Sequence, residues 1–317
     1  MRLVLATDAQ KTERDAVTYV EWGPPLTREG YAAREQRLRA HPWARAGMQT
    51  WLLCDEAGGV LASCETFRTR SLLRAGEGPP VPGDSFAIAS VFTEERLRGH
   101  GYATRMMDLL VTELRRAPHA QAALLFSDVG VPLYRRSGYR EVPAWNWTLA
   151  PEPGDPAALV EGLLGETDLE RALARARAPE RPFSLWPTAA QVDWHLERER
   201  IYSEQLGRPR PEACGATVGG STALWTLMGR YGVLVLLWLD ARSAQDAAAL
   251  LGAAQRVAHR AGASRVEVWE EPDTAPLLAR VPGATRGPRD GSLPMLQALR
   301  PGVLLSEDLP IARALWV

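Results

Sequence analysis

Lysine is almost missing from this chain: Lys11 is the single one among 37 basic residues. A nucleotide-hydrolysing phosphate loop needs a lysine at its end to reach the β- and γ-phosphates, so that chemistry is excluded for any glycine-rich loop found here. Cysteine is scarce too. Cys54, Cys64 and Cys214 contain no C-x-x-C pair, which argues against a zinc site or a disulfide framework and for buried, reduced thiols. Long apolar runs are missing as well. The longest, VLVLLWL at 233–239, falls far short of the roughly 18 residues that a membrane span needs. The opening MRLVLATDAQKTERD has too short an apolar stretch for a signal peptide. A cytoplasmic protein is expected, with no metal. Excess charge of either sign is also lacking. With a formal net charge of −1, bulk electrostatics favours neither nucleic acid nor an anionic membrane as a partner.

What is present is ordinary globular material: 317 residues, 46% hydrophobic and 24% charged, enough for two domains with a core each. Residues 1–7 read as a strand and 28–47 as mostly helix, interrupted at Pro42. Two strands follow, joined at 57–59 by a hairpin turn. A Gly/Pro-rich loop spans 75–84, an apolar strand 85–93, a helix 102–116, a buried strand 122–128 and a short helix 131–138. YREVPAWNWTL then reads as one last strand. APEPGDP (150–156) is the best linker, which divides the chain into domains 1–150 and 151–317. Beyond it come helices to about 206, a loop or short strand at EACGATVGG, strands at ALWTLM and VLVLLWLD, a helix at 243–262 and a strand at RVEVWEE. The fold class is α/β (α+β) with a mixed central sheet. The second half repeats the first half's order of strand, strand, helix, strand, and a degenerate duplicate is one explanation.

The stretch LRGHGYATRMM (97–107) carries the chemistry. Arg98, two glycines and an alanine precede a helix whose Ala103, Met106, Met107, Leu110 and Leu114 share one face. A dinucleotide fingerprint fits poorly: Gly99 and Gly101 are followed by Thr104, and Glu94 to Arg98 intervene after the strand. The pattern Arg98, Gly101, Ala103 instead leaves small residues where backbone N–H groups at 99–104 can approach a pyrophosphate, with the helix dipole aimed at the same point. A plain strand-to-helix turn is the bland alternative. A second element stands against it. LYRRSGYR places Tyr134, Gly138 and Tyr139 after the next buried strand.

Strand, glycine loop, amphipathic helix, strand and Tyr-x-x-x-Gly-aromatic resemble the GCN5-related N-acetyltransferase (GNAT) superfamily, whose signature is Q/R-x-x-G-x-G/A after the fourth strand. The resemblance covers about residues 1–148. It implies a GNAT fold and acetyl-CoA as co-substrate, bound by Val91, Phe92 and Thr93 on the splayed strand and by Arg98, Gly99, His100, Gly101, Tyr102, Ala103 and Thr104 in the loop. It also implies Tyr134 as the general acid, since a phenol near pKa 10 matches a departing thiolate. A backbone N–H near Phe92 is suited to the oxyanion. Two departures from the family pattern are Glu95 in place of a common proline and Ser127–Asp128 in place of a frequent asparagine. The strand before the loop has no carboxylate, so the base is unassigned; Glu65, Asp128 and a water chain are the candidates. His100 is expected to face solvent.

The second half lacks glycines after WLD (238–240), so it is expected not to bind CoA and to close the amine pocket instead. PTAAQVDWHLERERIY, CGATVGG and ALWTL resemble the fungal L-lysine N6-acetyltransferases and their bacterial relatives. That resemblance implies a small-molecule amine acceptor such as lysine or a similar amino acid. Trp194, His195 and Trp225 are substrate candidates, with core packing as the competing role for each. His195 and Glu199 share a helix face, but a lone pair is no metal site. A protein acetyltransferase and a CoA-binding sensor without turnover are the alternatives, and nothing here bears on oligomeric state.

Overall fold

The computed structural model describes residues 1–74, 78–155, 160–176 and 180–317. Its first half runs β1 (Arg2–Leu5), α1 (Asp8–Trp22), α2 (Arg28–Ala40), α3 (Pro42–Gly47), β2 (Met48–Cys54), β3 (Val60–Leu73), β4 (Val81–Phe92), α4 (Tyr102–Leu114), β5 (Ala120–Ser127), α5 (Pro132–Arg136), β6 (Arg140–Glu141) and β7 (Trp145–Leu149). The second half runs β8 (Glu161–Leu163), α6 (Glu166–Ala174), β9 (Phe183–Trp186), α7 (Ala189–Leu206), β10 (Gly215–Val218), β11 (Ser221–Met228), β12 (Val233–Asp240), α8 (Ala244–Arg260), β13 (Val266–Trp269), α9 (Ala275–Leu278), β14 (Thr285–Pro288) and β15 (Leu293–Ala298).

These strands build two mixed sheets of the same plan. One is ordered β1-β2-β3-β4-β5-β15-β6, with β9 added beside β3; the other is β8-β10-β11-β12-β13-β7-β14. Each has a single parallel step, β4 to β5 and β12 to β13. A buried-faced helix, α4 or α8, bridges that step, as a parallel crossover requires. The duplicate anticipated from element order is therefore present in the topology, with one change. Each half contributes a strand to the other's sheet. β7 leaves β6 and pairs with β13 and β14, while β15 returns to sit between β5 and β6. The stretch 139–149, expected as one strand, is thus two strands in different sheets. A cut at residue 150 would separate β15 from the sheet it completes.

Two further expectations change. Residues 81–84, expected in a loop, begin β4, because β3 runs on to Leu73 and Leu73↔Val81 extends the ladder. Residues 75–77 of that loop and 156 of the linker lie outside the described residues. Helix α1 was not foreseen: it buries Arg14, Asp15 and Thr18 rather than an apolar stripe, so it has no strong hydrophobic period to read. Its start is fixed by a Thr7–Gln10 capping box.

Four apolar clusters set the layers. Met106, Met107 and Leu110 of α4 seal one face of the first sheet, and Leu250, Leu251 and Ala254 of α8 seal one face of the second. The remaining faces look toward each other. Between them lie α7 and the chain after β15: Trp194, Ile201, Ile311 and Leu315 pack with the first sheet, and Val192, Ala312 and Ala314 with the second. Packed on both sides, α7 buries His195, Arg198 and Glu199 along with its apolar residues.

Candidate active site

The parallel pairing of β4 with β5 extends only as far as Ile88↔Leu125. On its other side, β4 changes register against β3 between Ser63↔Phe92 and Glu65↔Ala89. Ser90 takes φ 52 at that bulge, a conformation unusual for a non-glycine residue. Arg14 of α1 holds it there. Its Nη2 donates to the Ser90 carbonyl (2.9 Å), its Nε to Ser63 Oγ (3.1 Å) and its Nη1 to Glu65 Oε1 (2.9 Å). Bulges re-aim a strand at the cost of ladder bonds. Here the ends of β4 and β5 separate into a gap across which the two strands no longer pair. Val91 packs against the α4 cluster. The buried Phe92 ring meets Trp22 of α1 at 5.9 Å. Thr93 Oγ1 is buried with no hydrogen-bond partner.

The loop after the gap ends in the N-terminus of α4. Gly99 and Gly101 take φ 82 and 75, and a Cβ on either would meet nothing within 4 Å. The loop face is therefore open, and the glycines serve its left-handed turns. Gly101 is the N-cap and supplies no side-chain oxygen, so the first-turn N–H groups at Tyr102, Ala103 and Thr104 keep their donors free of a side-chain cap. Arg98 braces the loop: its Nη2 donates to Glu21 of α1 (2.6 Å) and its Nε to the Thr93 carbonyl (3.1 Å). His100 is exposed, as expected, and stacks on Tyr102 at 5.6 Å.

The corresponding end of α8 is filled. Ser243 Oγ caps it by accepting from the Asp246 N–H (3.0 Å), and the Asp246 carboxylate in the first turn accepts from Ser221 Oγ (2.7 Å). A carboxylate at a helix N-terminus takes the place an anionic ligand would occupy. Of the two related halves, only the first presents a bare anion cradle.

Tyr134 rises from α5 beside the gap, 7% exposed, its ring 6.2 Å from that of Tyr139. Burial, with Cys64 and Asp128 nearby, pushes its pKa up to about 12. The phenol therefore stays in its protonated form.

Similarity to known proteins extends over the fold as a whole. Residues 164–309 match the family described as LYC1 GNAT-like C-terminal domain. The chain is similar to a protein of Yarrowia lipolytica named lysine acetyltransferase, 24% identical over 331 residues that span 86% of this chain and 84% of that one. Among solved structures it is similar to a putative acetyltransferase from Pyrococcus horikoshii (TM-score 0.56, 13% identity, 100% of this chain and 95% of that one). It is also similar to Eis1 from Mycobacterium abscessus (TM-score 0.59, 14% identity, 94% and 74%).

Residues 164–309 carry the LYC1 GNAT-like C-terminal domain, and the chain as a whole has the fold of the GNAT acetyltransferases it resembles.

The expected acceptor-side residues take varied places. Glu65 is fully enclosed and ion-paired to Arg14 at 2.9 Å; burial pushes its carboxyl up while Arg14 opposes. Asp128 is exposed and accepts from the Ser292 N–H (2.6 Å) and hydroxyl (3.2 Å), fastening the entry to β15. Trp194 donates to the Leu38 carbonyl (3.2 Å) and packs against Trp43 and Phe67. Trp225 donates to the Ala213 carbonyl (2.8 Å) in the α8-side core, away from the facing sheets. His195 lies fully buried between the sheets. Its Nε2 meets the Ala314 carbonyl at 2.9 Å, its Nδ1 has no partner, and burial holds its pKa far below the usual histidine range.

Three residues escaped sequence reading. Glu271, just past β13, has its carboxyl pushed up to about 8 by burial, with Asp273 and Asp240 adding and Arg181 opposing. Arg289 lies in the connection between β14 and β15, and Arg313 in the final segment. No motif marks them, because only packing of the two halves gives them a common neighbourhood.

Proposed function

We propose that the protein transfers an acetyl group from acetyl-CoA to the primary amine of a small molecule, lysine or a similar amino acid. The observation that carries the reading is the uncapped, glycine-lined N-terminus of α4 at the mouth of the β4–β5 gap, beside a buried tyrosine, while the matching end of α8 is closed by Asp246. The printed name of the Yarrowia lipolytica relative supports lysine as the first acceptor to test.

Acetyl-CoA supplies an activated thioester when bound. The N–H groups of residues 99–104 and the α4 dipole are the donors for its pyrophosphate. The side of β4 that faces the gap, from Ala89 to Phe92, offers backbone groups to its extended arm, and an N–H near Phe92 is suited to the oxyanion. The Tyr134 O–H gives its proton to the leaving sulfur. Glu65 and Asp128 are committed to Arg14 and Ser292, so the amine proton leaves to water.

The test is thiol release from acetyl-CoA across free diamino acids, simple amines and lysine-containing peptides. Turnover with the free amino acids supports the reading. Turnover confined to peptides makes this a protein acetyltransferase. Tight CoA binding with no turnover on any amine makes it a sensor.

A further inference from the structure

The space between the two sheets holds two arginines, Arg289 and Arg313, that form no ion pair among the described residues. Trp269, at the end of β13, lies 5.3 Å from Phe126 of β5, ring to ring. Phe126 is the first residue beyond the last β4–β5 pair, on the face of the gap away from α4. The guanidinium carbons of Arg289 and Arg313 stand 3.7 and 4.6 Å from the Trp269 ring centre, and that of Arg313 also lies 3.8 Å from Trp316. Arg313 is 6% exposed. Its Nη1, and the Nε and Nη1 of Arg289, are buried with no hydrogen-bond partner. Its Nη2 reaches only Met228 Sδ, at 3.6 Å, a weak acceptor.

Nearby carboxylates are already committed. Glu199 binds Arg198 and the Gly229 N–H, Glu270 binds Arg286 and Trp147, and Glu267 binds Arg265. Neither Arg289 nor Arg313 has an ion pair among the described residues. Buried charge without a partner is costly unless an anion completes it. The aromatic faces offset part of that cost but leave the forked N–H donors open.

We propose that Arg289 and Arg313, gathered around Trp269, form the subsite that receives the acceptor's carboxylate. The acceptor is then an amine that also carries a free carboxylate, an amino acid rather than a simple amine or a lysine within a protein. The inference rests on the acetyl-transfer reading above. Guanidinium forks are matched to carboxylates, and the indole that gathers this pair touches Phe126, next to the end of the β4–β5 pairing. Burial pushes Arg289 down to about 10 and lowers Arg313 as well, with Arg198 and Arg289 adding, as expected where a counterion is wanting.

The test compares L-lysine with lysinamide and with cadaverine, which lacks the carboxyl group, in the full-length enzyme and in Arg289→Gln and Arg313→Gln. The parent is expected to favour lysine by about a hundredfold in kcat/KM. Each variant should lose most of that preference through KM, with the cadaverine rate and CoA affinity unchanged. If Arg313→Gln fails to fold by circular dichroism, the partly exposed Arg289→Gln decides. Folded variants that keep the preference for lysine overturn the subsite, as does a parent without preference. If no amine is turned over, the acetyl-transfer reading fails by itself. Calorimetric lysine binding to the CoA-loaded protein then decides the subsite, which stands if Arg289→Gln abolishes binding and falls if binding is equal or undetectable in the parent.

Discussion

Tyr134 and Glu271 show how the same desolvation serves different ends. Burial keeps the Tyr134 phenol protonated to about 12, so it offers a proton at any working pH. Tyr134→Phe is expected to lower kcat about a hundredfold while calorimetry finds CoA affinity near that of the parent; an unchanged kcat removes the acid role. Glu271 is raised from 4.5 to about 8, so the folded chain keeps a proton that the unfolded chain releases. The stability this contributes is complete below about pH 4.5 and is lost as pH rises to about 8. Glu271→Gln, which mimics the neutral acid, should therefore gain in Tm relative to the parent across that window and level off above it. A difference that stays constant from about pH 5 to about pH 9 would contradict the shift. Tyr134 was legible because its spacing to Gly138 and Tyr139 is local. Glu271 was not, since its shift arises first from burial, with Asp273 and the distant Asp240 adding, and that burial exists only once the chain has folded.

At the scale of elements, the contrast between α4 and α8 is between a bare N-terminus and a capped one. Gly101→Val places a β-branched residue at φ 75 and fills the open loop face, so CoA affinity should fall at least about tenfold, with Tm as the control for folding. Ser243→Ala removes the α8 cap and should cost about 1 kcal/mol of stability in chemical unfolding without changing CoA affinity. If the two substitutions affect CoA binding equally, the cradle does not belong to α4. Helix α4 could be read from its apolar period, because one face meets a sheet and the other meets water. Helices α1 and α7 could not be read so cleanly, because α1 buries an arginine and an aspartate, and α7 is packed on both sides.

The whole molecule is two similar sheets joined by an exchange of strands. Residues 1–150 expressed alone would leave β5 without its six-residue partner in β15 and β7 without β13 and β14. Such unpaired edges and uncovered apolar faces are expected to give an aggregating or molten fragment, to be checked by cooperative unfolding and amide dispersion. A cooperatively folded fragment would show the exchange to be dispensable. The sequence by itself determined the local features: the missing lysine that excluded nucleotide hydrolysis, the glycine loop, the helix it opens, and the order of strands and helices. Those follow from backbone conformations and periodicities that a few adjacent residues specify. Tertiary structure alone decided which sheet each terminal strand joins, that Glu65 and Asp128 are tied to Arg14 and Ser292, and that Arg289 and Arg313 meet at one indole. These depend on contacts between residues distant in the chain, for which a single sequence carries no local signal.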